Sequence, residues 1–189
     1  MATSTGKLRY TTPGIPTEDA ERVVELLQGR LHATNDLHLT LKHVHWNVVG
    51  PHFIAVHEMI DPQVDEVRAF SDSLAERIAT LGGSPQGTPG VLVKERTWEE
   101  YSIGRATTQE HLGALDLVYT GVISSTRKVA ADVEEVDPVT NDLLIGQLGE
   151  LEQFHWFIRA HLENAGGRLA TADASSEAEA AAKSSKVTK

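Results

Sequence analysis

The chain has 189 residues, enough for one domain with a sizeable hydrophobic core. Its formal net charge of −10 argues against a body that coats nucleic acid and suits one that attracts cations. The absence of cysteine excludes disulfides, thiolate metal sites and cysteine nucleophiles. There is neither a signal-peptide pattern nor an apolar run approaching the ~18 residues of a membrane span, so the sequence predicts a cytoplasmic protein.

The first predicted helix follows a polar tail, residues 1–16, which we expect to be flexible. Thr17 is suited to cap the helix, and acidic residues in the first turn favour its N-terminus. Apolar residues then recur at a spacing near 3.6 to about Val49, where Gly50-Pro51 interrupts the pattern.

The second predicted helix runs from about Phe53 to Leu81, and Gly82-Gly83 supplies its stop signal. Pro62 lies inside it and follows Asp61, which read locally is also a helix start. A continuous helix would lose one backbone hydrogen bond at Pro62 and kink. We favour the kinked helix, because a break would misalign the polar side chains on its two halves.

The second half of the chain predicts two further helices after a long connection. Residues 82–103 are rich in Gly and Pro, with a short apolar patch that fits one short helix. The third helix is predicted from about Gly104 to Glu135, and Asp137-Pro138 signals the start of the fourth, which ends at Gly166-Gly167. Strand-type alternation is absent. Four long helices with a long link after the second predict an all-α four-helix bundle with one long crossover.

Residues 168–189 are predicted to be disordered, because they are rich in Ala, Ser, Thr, Glu and Lys and contain no aromatic residue. DNA contact, if any, would come from the basic residues of the two tails, since the body is acidic. Binding through them should be weak at physiological salt and fall steeply as salt rises. These residues are Lys7, Arg9, Lys183, Lys186 and Lys189.

The most informative stretch is 43–77, which contains His45, His57, Asp61, Asp72 and Glu76. Two imidazoles and three carboxylates suit a transition metal such as iron. His57 and Asp61 are four residues apart, as are Asp72 and Glu76, so each pair shares one face of a helix. A solvated helix face with two chance histidines is the simpler alternative.

The two pairs are too far apart to share a metal site within one straight helix. They lie 11 to 15 residues apart, at least about 16 Å at 1.5 Å per residue, whereas two metals in one site are about 3.5–4 Å apart. If two copies of this helix cross antiparallel near residues 66–67, His57 and Asp61 of one chain face Asp72 and Glu76 of the other. Such a two-fold arrangement gives two identical sites per dimer.

The segment HWNVVGPHFIAVHEMID, followed by DSLAER, resembles the signature of the Dps proteins, the miniferritins. The resemblance extends from about Thr17 to Gly167. It implies a ferritin-like four-helix bundle with a short extra helix in the long loop between the second and third helices. It also implies a hollow dodecamer built from two-fold dimers.

The resemblance further implies a ferroxidase that oxidises Fe(II), with hydrogen peroxide as the preferred oxidant, stores ferric mineral and protects DNA from oxidative damage. By position, His45, His57 and Asp61 would be ligands from one subunit, and Asp72 and Glu76 from its partner, for two iron ions per site. The alternative is a protein that compacts DNA in the nucleoid through its tails, with iron oxidation secondary. A structural helical assembly without redox chemistry is a third possibility.

Three further residues have expected roles. Trp46 is either a large interface residue or, as the resemblance implies, an electron donor beside the metals. Asp142 lies in the first turns of the fourth helix, where it either favours the helix N-terminus or, by resemblance, lines a pore that admits iron. Glu58 could be a carboxylate for mineral nucleation in the cavity.

Other polar residues near these patterns are weaker candidates. His43 and His52 flank the site and are more often surface or interface groups. The pair Glu152 and His155 has the interval of a conventional di-iron helix, but His155 falls on the apolar stripe and no second Glu-x-x-His occurs. We expect that this pair resembles a metal-binding motif only in its spacing and does not bind metal.

Overall fold

The computed structural model describes residues 7–186. Four long helices form the body: α1, Thr17–Asn47; α2, Phe53–Thr80; α4, Thr108–Val133; and α5, Pro138–Leu162. Two short helices, α3 (Pro89–Glu95) and α6 (Glu177–Ser184), lie in the long connection and near the C-terminus. The predicted four-helix bundle with a short extra helix in the long loop is therefore confirmed.

The core lies between two helix pairs, α1 with α2 and α4 with α5. Their connections are short, which makes the helices of each pair antiparallel neighbours. Leu and Ile side chains on the inward faces are completely or almost completely buried, and their burial provides most of the stability of the bundle. They include Leu27, Leu41, Ile60, Leu74, Leu112, Leu115, Leu144 and Leu151.

Helix α2 continues through Pro62, as predicted. The helix ends differ slightly from the sequence prediction. The cap of α1 is Pro16 rather than Thr17, which is the first helical residue. Asp137 caps α5 as expected, accepting a hydrogen bond from the backbone N–H of Thr140.

Two short strands, which the sequence did not predict, tie α1 to α4. Strand β1 (Val48–Val49) pairs in parallel with β2 (Ala106–Thr107), with Val48 opposite Ala106. Two-residue strands are too short to show alternation, which explains why they were missed. Thr107 also caps α4, and Glu110 completes the capping box. Helix α4 therefore begins at Thr108 instead of near Gly104.

The disorder predicted after Gly167 is wrong for residues 168–186. Leu169 bridges back to Glu163, and helix α6 packs against α4. We call residues 168–186 the C-terminal arm. Its inward residues are small, and Ala180, Ala181 and Ser184 are buried. Gly113 of α4 permits this contact, because a Cβ there would lie 2.7 Å from the Ala180 carbonyl oxygen and would also collide with the Ser184 side chain.

The described part of the N-terminal tail, residues 7–16, also contacts the bundle. Leu8 is buried, and its backbone N–H donates to the Glu21 carboxylate at 2.8 Å. Gly82 has a φ of 89°, and a Cβ there would collide with the Tyr10 carbonyl. The expected flexibility is therefore not seen in this segment. Within residues 7–186, no helix is long and apolar enough to cross a lipid bilayer.

Candidate metal centre

The end of α1 and the start of α2 bring three of the predicted ligands together. His45 lies in the last turn of α1, and His57 and Asp61 lie in the first turns of α2. The chain reverses between the helices through Gly50, whose φ of 109° belongs to the left-handed region that glycine adopts readily. The His45 Nδ1 atom is 3.2 Å from Asp61 Oδ1.

The two imidazoles are held by reciprocal hydrogen bonds to backbone carbonyls. His45 Nδ1 is 3.1 Å from the His57 carbonyl oxygen, and His57 Nδ1 is 2.9 Å from the His45 carbonyl oxygen. A carbonyl can only accept, so each Nδ1 must carry the proton and donate it. In the neutral rings the lone pair is then on Nε2. An outer hydrogen bond of this kind fixes the tautomer and orientation of a histidine that binds a metal.

Ring packing fixes the same two side chains further. The imidazoles of His45 and His57 stack with their centroids 3.6 Å apart and their planes 22° apart. The Phe53 ring lies 4.9 Å from that of His57. His45 is buried, while His57 is half-buried. Ring packing therefore holds both imidazoles in place, and the His57 side chain is partly accessible at the protein surface.

Asp61 completes the group and has a cationic neighbour that sequence reasoning missed. Lys42 Nζ lies 2.7 Å from Asp61 Oδ1. This hydrogen bond lowers the pKa of Asp61, and the nearby rings of His45 and His57 act in the same direction. Asp61 is therefore a carboxylate at neutral pH. The sequence does contain a signal for Lys42, since it precedes His45 by three residues and shares its face of α1.

Asp72 and Glu76 do not join this group within one chain. Both lie on α2, four residues apart, and both are exposed. Within the part of the chain that the structure describes, no three His, Asp or Glu side chains form a group that could hold a metal ion. Three residues do converge, His45, His57 and Asp61, and the Nδ1 atoms of the two histidines are directed at protein oxygens.

The other predicted functional residues lie on the surface. Trp46 is 70% exposed, which is unusual for an indole. Glu58 is exposed beside His57, and Asp142 is exposed near the start of α5.

Among the basic residues of the tails, Lys7, Arg9 and Lys186 are exposed. Lys183 is engaged, since its Nζ lies 3.0 Å from the Glu179 carboxylate and 3.1 Å from the Ala172 carbonyl oxygen. Lys189 lies outside the described residues.

The weaker candidates have structural partners elsewhere. His43 contacts the Ile103 carbonyl through Nε2 at 2.9 Å, and His52 is exposed at the start of α2. His155 is buried with Nε2 2.7 Å from Asp116, whereas Glu152 pairs with Arg127. Glu152 and His155 thus have different partners.

Comparison with known proteins agrees with this architecture. The sequence-family model for the ferritin-like domain matches residues 24–166 of this chain. A DNA protection during starvation protein from Mycolicibacterium smegmatis is 60% identical over 174 residues, which cover 92% of this chain and 95% of that protein. The fine tangled pili major subunit of Haemophilus ducreyi is 51% identical over 160 residues, 85% of each chain.

A solved structure is similar over most of its length. DpsA14 from Streptomyces coelicolor has a TM-score of 0.85 and 66% sequence identity, with 86% of this chain and 97% of that chain covered. Residues 24–166, which match the ferritin-like domain, contain the α1–α2 reversal that brings His45, His57 and Asp61 together. The chain belongs to the Dps family of ferritin-like proteins.

Proposed function

We propose that this protein is a ferroxidase that oxidises Fe(II) and stores the ferric product inside a dodecameric cage, and thereby protects DNA. Each catalytic site would bind two iron ions between subunits. His45, His57 and Asp61 come from one subunit, and Asp72 and Glu76 come from its two-fold partner. Iron is the substrate of this reaction as well as the stored product.

The observation that carries the proposal is the pair of Nδ1 hydrogen bonds at His45 and His57. They leave Nε2 of both rings as the basic nitrogen, and the ionised Asp61 lies in the same group, with its Oδ1 3.2 Å from His45 Nδ1. Imidazole and carboxylate together suit a divalent first-row metal, and charged oxygen ligands favour the ferric over the ferrous state. The donor set therefore supports both binding and oxidation of iron.

A second subunit would supply the two carboxylate ligands that are missing from the site within one chain. Because α2 is continuous through Pro62, an antiparallel copy crossing near residues 66–67 would set Asp72 and Glu76 opposite His57 and Asp61. Two-fold symmetry would give two identical copies of this site in each dimer. The exposed positions of Asp72 and Glu76 are compatible with such a contact.

The chemistry balances with hydrogen peroxide as oxidant. Two ferrous ions each lose one electron, and the peroxide accepts both electrons and two protons to become two water molecules. Because the electrons arrive as a pair, hydroxyl radical is not released. Trp46 would supply an electron beside the site, Asp142 would line an entry pore for iron, and Glu58 would help to nucleate mineral.

Anaerobic ferrous binding followed by peroxide addition tests the proposal, with ferric absorbance as the readout. His57→Ala or Glu76→Ala homodimers should oxidise iron slowly, because both of their sites are damaged. A mixed dimer of the two variants should regain activity, since it contains one intact site and one doubly damaged site. If mixed dimers are no faster than either homodimer, the site does not span two subunits.

DNA compaction through the tails has less support as the main function. Lys183 is bound within the C-terminal arm, and the arm itself packs on α4. Lys7, Arg9 and Lys186 remain exposed and could contact phosphate at low salt. A gel shift that persists at physiological salt after removal of both tails would favour DNA binding by the body of the protein.

A further inference from the structure

A second polar pair lies beside α1, the helix that carries His45. The hydroxyl of Tyr101, in the loop between α3 and α4, is 2.9 Å from Nδ1 of His111 on α4. His111 is completely buried and Tyr101 is half-buried. Neither residue belongs to the proposed ligand set.

The proton between these residues has a defined position. Burial raises the pKa of Tyr101 strongly, and the charge of Glu177 adds to this effect. Burial also lowers the pKa of His111. The phenol is therefore neutral and donates to a neutral imidazole, whose Nδ1 accepts. Loss of an electron from this phenol would make its proton strongly acidic, and His111 Nδ1 is the base already in place to take it.

Burial disfavours the imidazolium formed by that transfer, and polar groups around His111 offset part of this cost. Its Nε2 is buried without a hydrogen-bond partner of good geometry. Backbone groups of Asn47 and Gly104 favour the protonated ring, as does the nearby carboxylate of Glu110. The neighbouring His43 acts in the opposite direction.

An aromatic path connects the pair to the helix that carries His45. The His43 ring meets the edge of the Tyr101 ring, with centroids 5.9 Å apart and an interplanar angle of 70°. Its Nε2 also contacts the Ile103 carbonyl, which fixes the loop against α1. His43 is two residues before His45 and three before Trp46, so all of these groups lie within about one helical turn.

We propose that Tyr101 and His111 form a proton-coupled electron donor that removes one-electron oxidants produced at the metal centre. The proposal rests on the ferroxidase function. When peroxide meets a site that holds a single ferrous ion, that ion supplies one electron and leaves ferric ion, hydroxide and a hydroxyl radical. Tyr101 supplies the missing electron, so the hydroxyl radical becomes a second hydroxide. The phenolic proton moves to His111 Nδ1 and leaves a neutral tyrosyl radical.

The resting pair is restored by a second ferrous ion. This ion returns one electron to the tyrosyl radical, and His111 returns the proton to the phenolic oxygen. The sum of the two stages is the oxidation of two ferrous ions by one peroxide molecule, the same stoichiometry as the paired reaction. The pair would thus keep the chemistry free of escaping radicals when iron is scarce.

Tyr119 provides a matched control within the same bundle. It is completely buried, like His111, and its hydroxyl donates to Gln63 Oε1 at 2.7 Å. An amide oxygen is a very weak base and cannot take the proton of an oxidised phenol. Burial raises the pKa of Tyr119 as well. The two tyrosines therefore differ in the group that accepts the hydrogen bond of the phenol: a basic imidazole nitrogen for Tyr101 and an amide oxygen for Tyr119.

The first arm of the test uses iron-free protein in which the exposed Tyr10 is replaced by Phe in every variant, and a photogenerated ruthenium(III) polypyridyl complex as one-electron oxidant. Transient absorbance and electron paramagnetic resonance should detect a tyrosyl radical in the otherwise native protein and in Tyr119→Phe. The signal should be lost in Tyr101→Phe, which keeps the ring, and in His111→Gln, which keeps a hydrogen-bond acceptor without a basic nitrogen. Loss of the signal in Tyr119→Phe instead of Tyr101→Phe would overturn the proposal.

The second arm adds peroxide to protein carrying less than one ferrous ion per site. The same radical should appear by freeze-quench resonance, and Tyr101→Phe should lose it while releasing more spin-trapped hydroxyl radical. A radical seen with light but not with ferrous ion and peroxide would separate the pair from iron chemistry and overturn the proposal. Failure of the ferroxidase function would appear differently, as ferric formation no faster with the native protein or any variant than with ferrous ion and peroxide alone.

Discussion

At the scale of single residues, Lys42 binds the carboxylate of Asp61, for which iron would compete in the proposed ferroxidase. Its Nζ hydrogen-bonds to the same Asp61 oxygen that lies 3.2 Å from His45 Nδ1. A metal ion that binds Asp61 must displace this ammonium or lie beside its charge. The lysine therefore acts as a resident counterion for the carboxylate in the metal-free protein.

We expect Lys42→Met to bind ferrous ion a few-fold more tightly, because the competing charge is removed while much of the side-chain volume is kept. Anaerobic titration calorimetry measures the affinity directly. Lys128→Met, at an exposed position on α4, controls for the general change in net charge. Weaker binding by Lys42→Met would mean that the lysine positions Asp61 for the metal.

The sequence predicted the convergence of His45, His57 and Asp61 because it depends on helical spacing and on the break at Gly50-Pro51, both of which are local. Lys42 was missed because a lysine is not a metal ligand, although it lies three residues before His45 on the same face of α1. The Tyr101–His111 pair was missed for a different reason, since Tyr101 lies in a loop whose path no periodic pattern defines.

At the scale of elements, the C-terminal arm depends on one glycine. Gly113→Ala should release α6, because the new methyl group would overlap the Ala180 carbonyl and the Ser184 side chain. Limited trypsin digestion after Lys183 and hydrogen exchange across 177–184 would detect the release. Gly121→Ala is the control on the same helix, since a Cβ there meets nothing within 4 Å. It should stabilise α4 by up to about 1 kcal/mol.

Asp116 joins α4, α5 and the arm, and its ionisation should make their association sensitive to acid. Burial favours the neutral acid, but hydrogen bonds from His155, Thr171 and Arg159 outweigh it and lower the pKa from 3.8 to about 2. The resulting stabilisation, on the order of 2 kcal/mol, is complete above about pH 4 and is lost as the pH falls toward 2.

Asp116→Asn should therefore be less stable than the native protein near pH 7, with a smaller difference near pH 2. Urea denaturation monitored by circular dichroism at both pH values measures the difference in the free energy of unfolding between Asp116→Asn and the native protein. Asp132→Asn, on the same helix, is the control for loss of one carboxylate. An equal destabilisation at both pH values would mean that packing rather than charge accounts for the effect of Asp116.

The sequence could not predict the arm from its composition. Ala, Ser and Glu at 168–186 resemble a disordered tail, and a helix of eight residues is marginal in isolation. Its order comes from tertiary contacts: small residues fit against Gly113, and the Thr171 hydroxyl donates to Asp116 at 2.6 Å. Such complementarity between distant segments leaves no periodic signal.

At the scale of the whole molecule, the four-helix bundle was predictable because long amphipathic helices and their Gly and Pro boundaries are strong signals. The acidic charge of the chain should also influence how fast cations arrive, since fields of fixed charges steer ions and are screened within about 8–10 Å at physiological ionic strength. Asp142, exposed near the start of α5, is the residue we expect at an entry pore.

Asp142→Asn should slow iron uptake at low iron concentration while leaving oxidation at saturating iron nearly unchanged. Stopped-flow absorbance at several salt concentrations would measure both, and the native protein should lose more of its uptake rate with salt than the variant. Glu150→Gln, an exposed substitution two turns further along α5, removes the same charge outside the expected pore. Equal uptake by the native protein and Asp142→Asn would exclude Asp142 from the entry route.

The parallel pairing of β1 with β2 has a consequence for how the chain folds. Contacts within α1–α2 and within α4–α5 join helices that are neighbours in sequence, and such local pairs form early. The β1–β2 pairing instead closes a loop that contains all of α2 and the long connection after it. Because the entropy cost of closure rises only slowly with loop length, the long connection delays this step little. We therefore expect two helical hairpins to form first and to dock afterwards, with the short strands fixing their register.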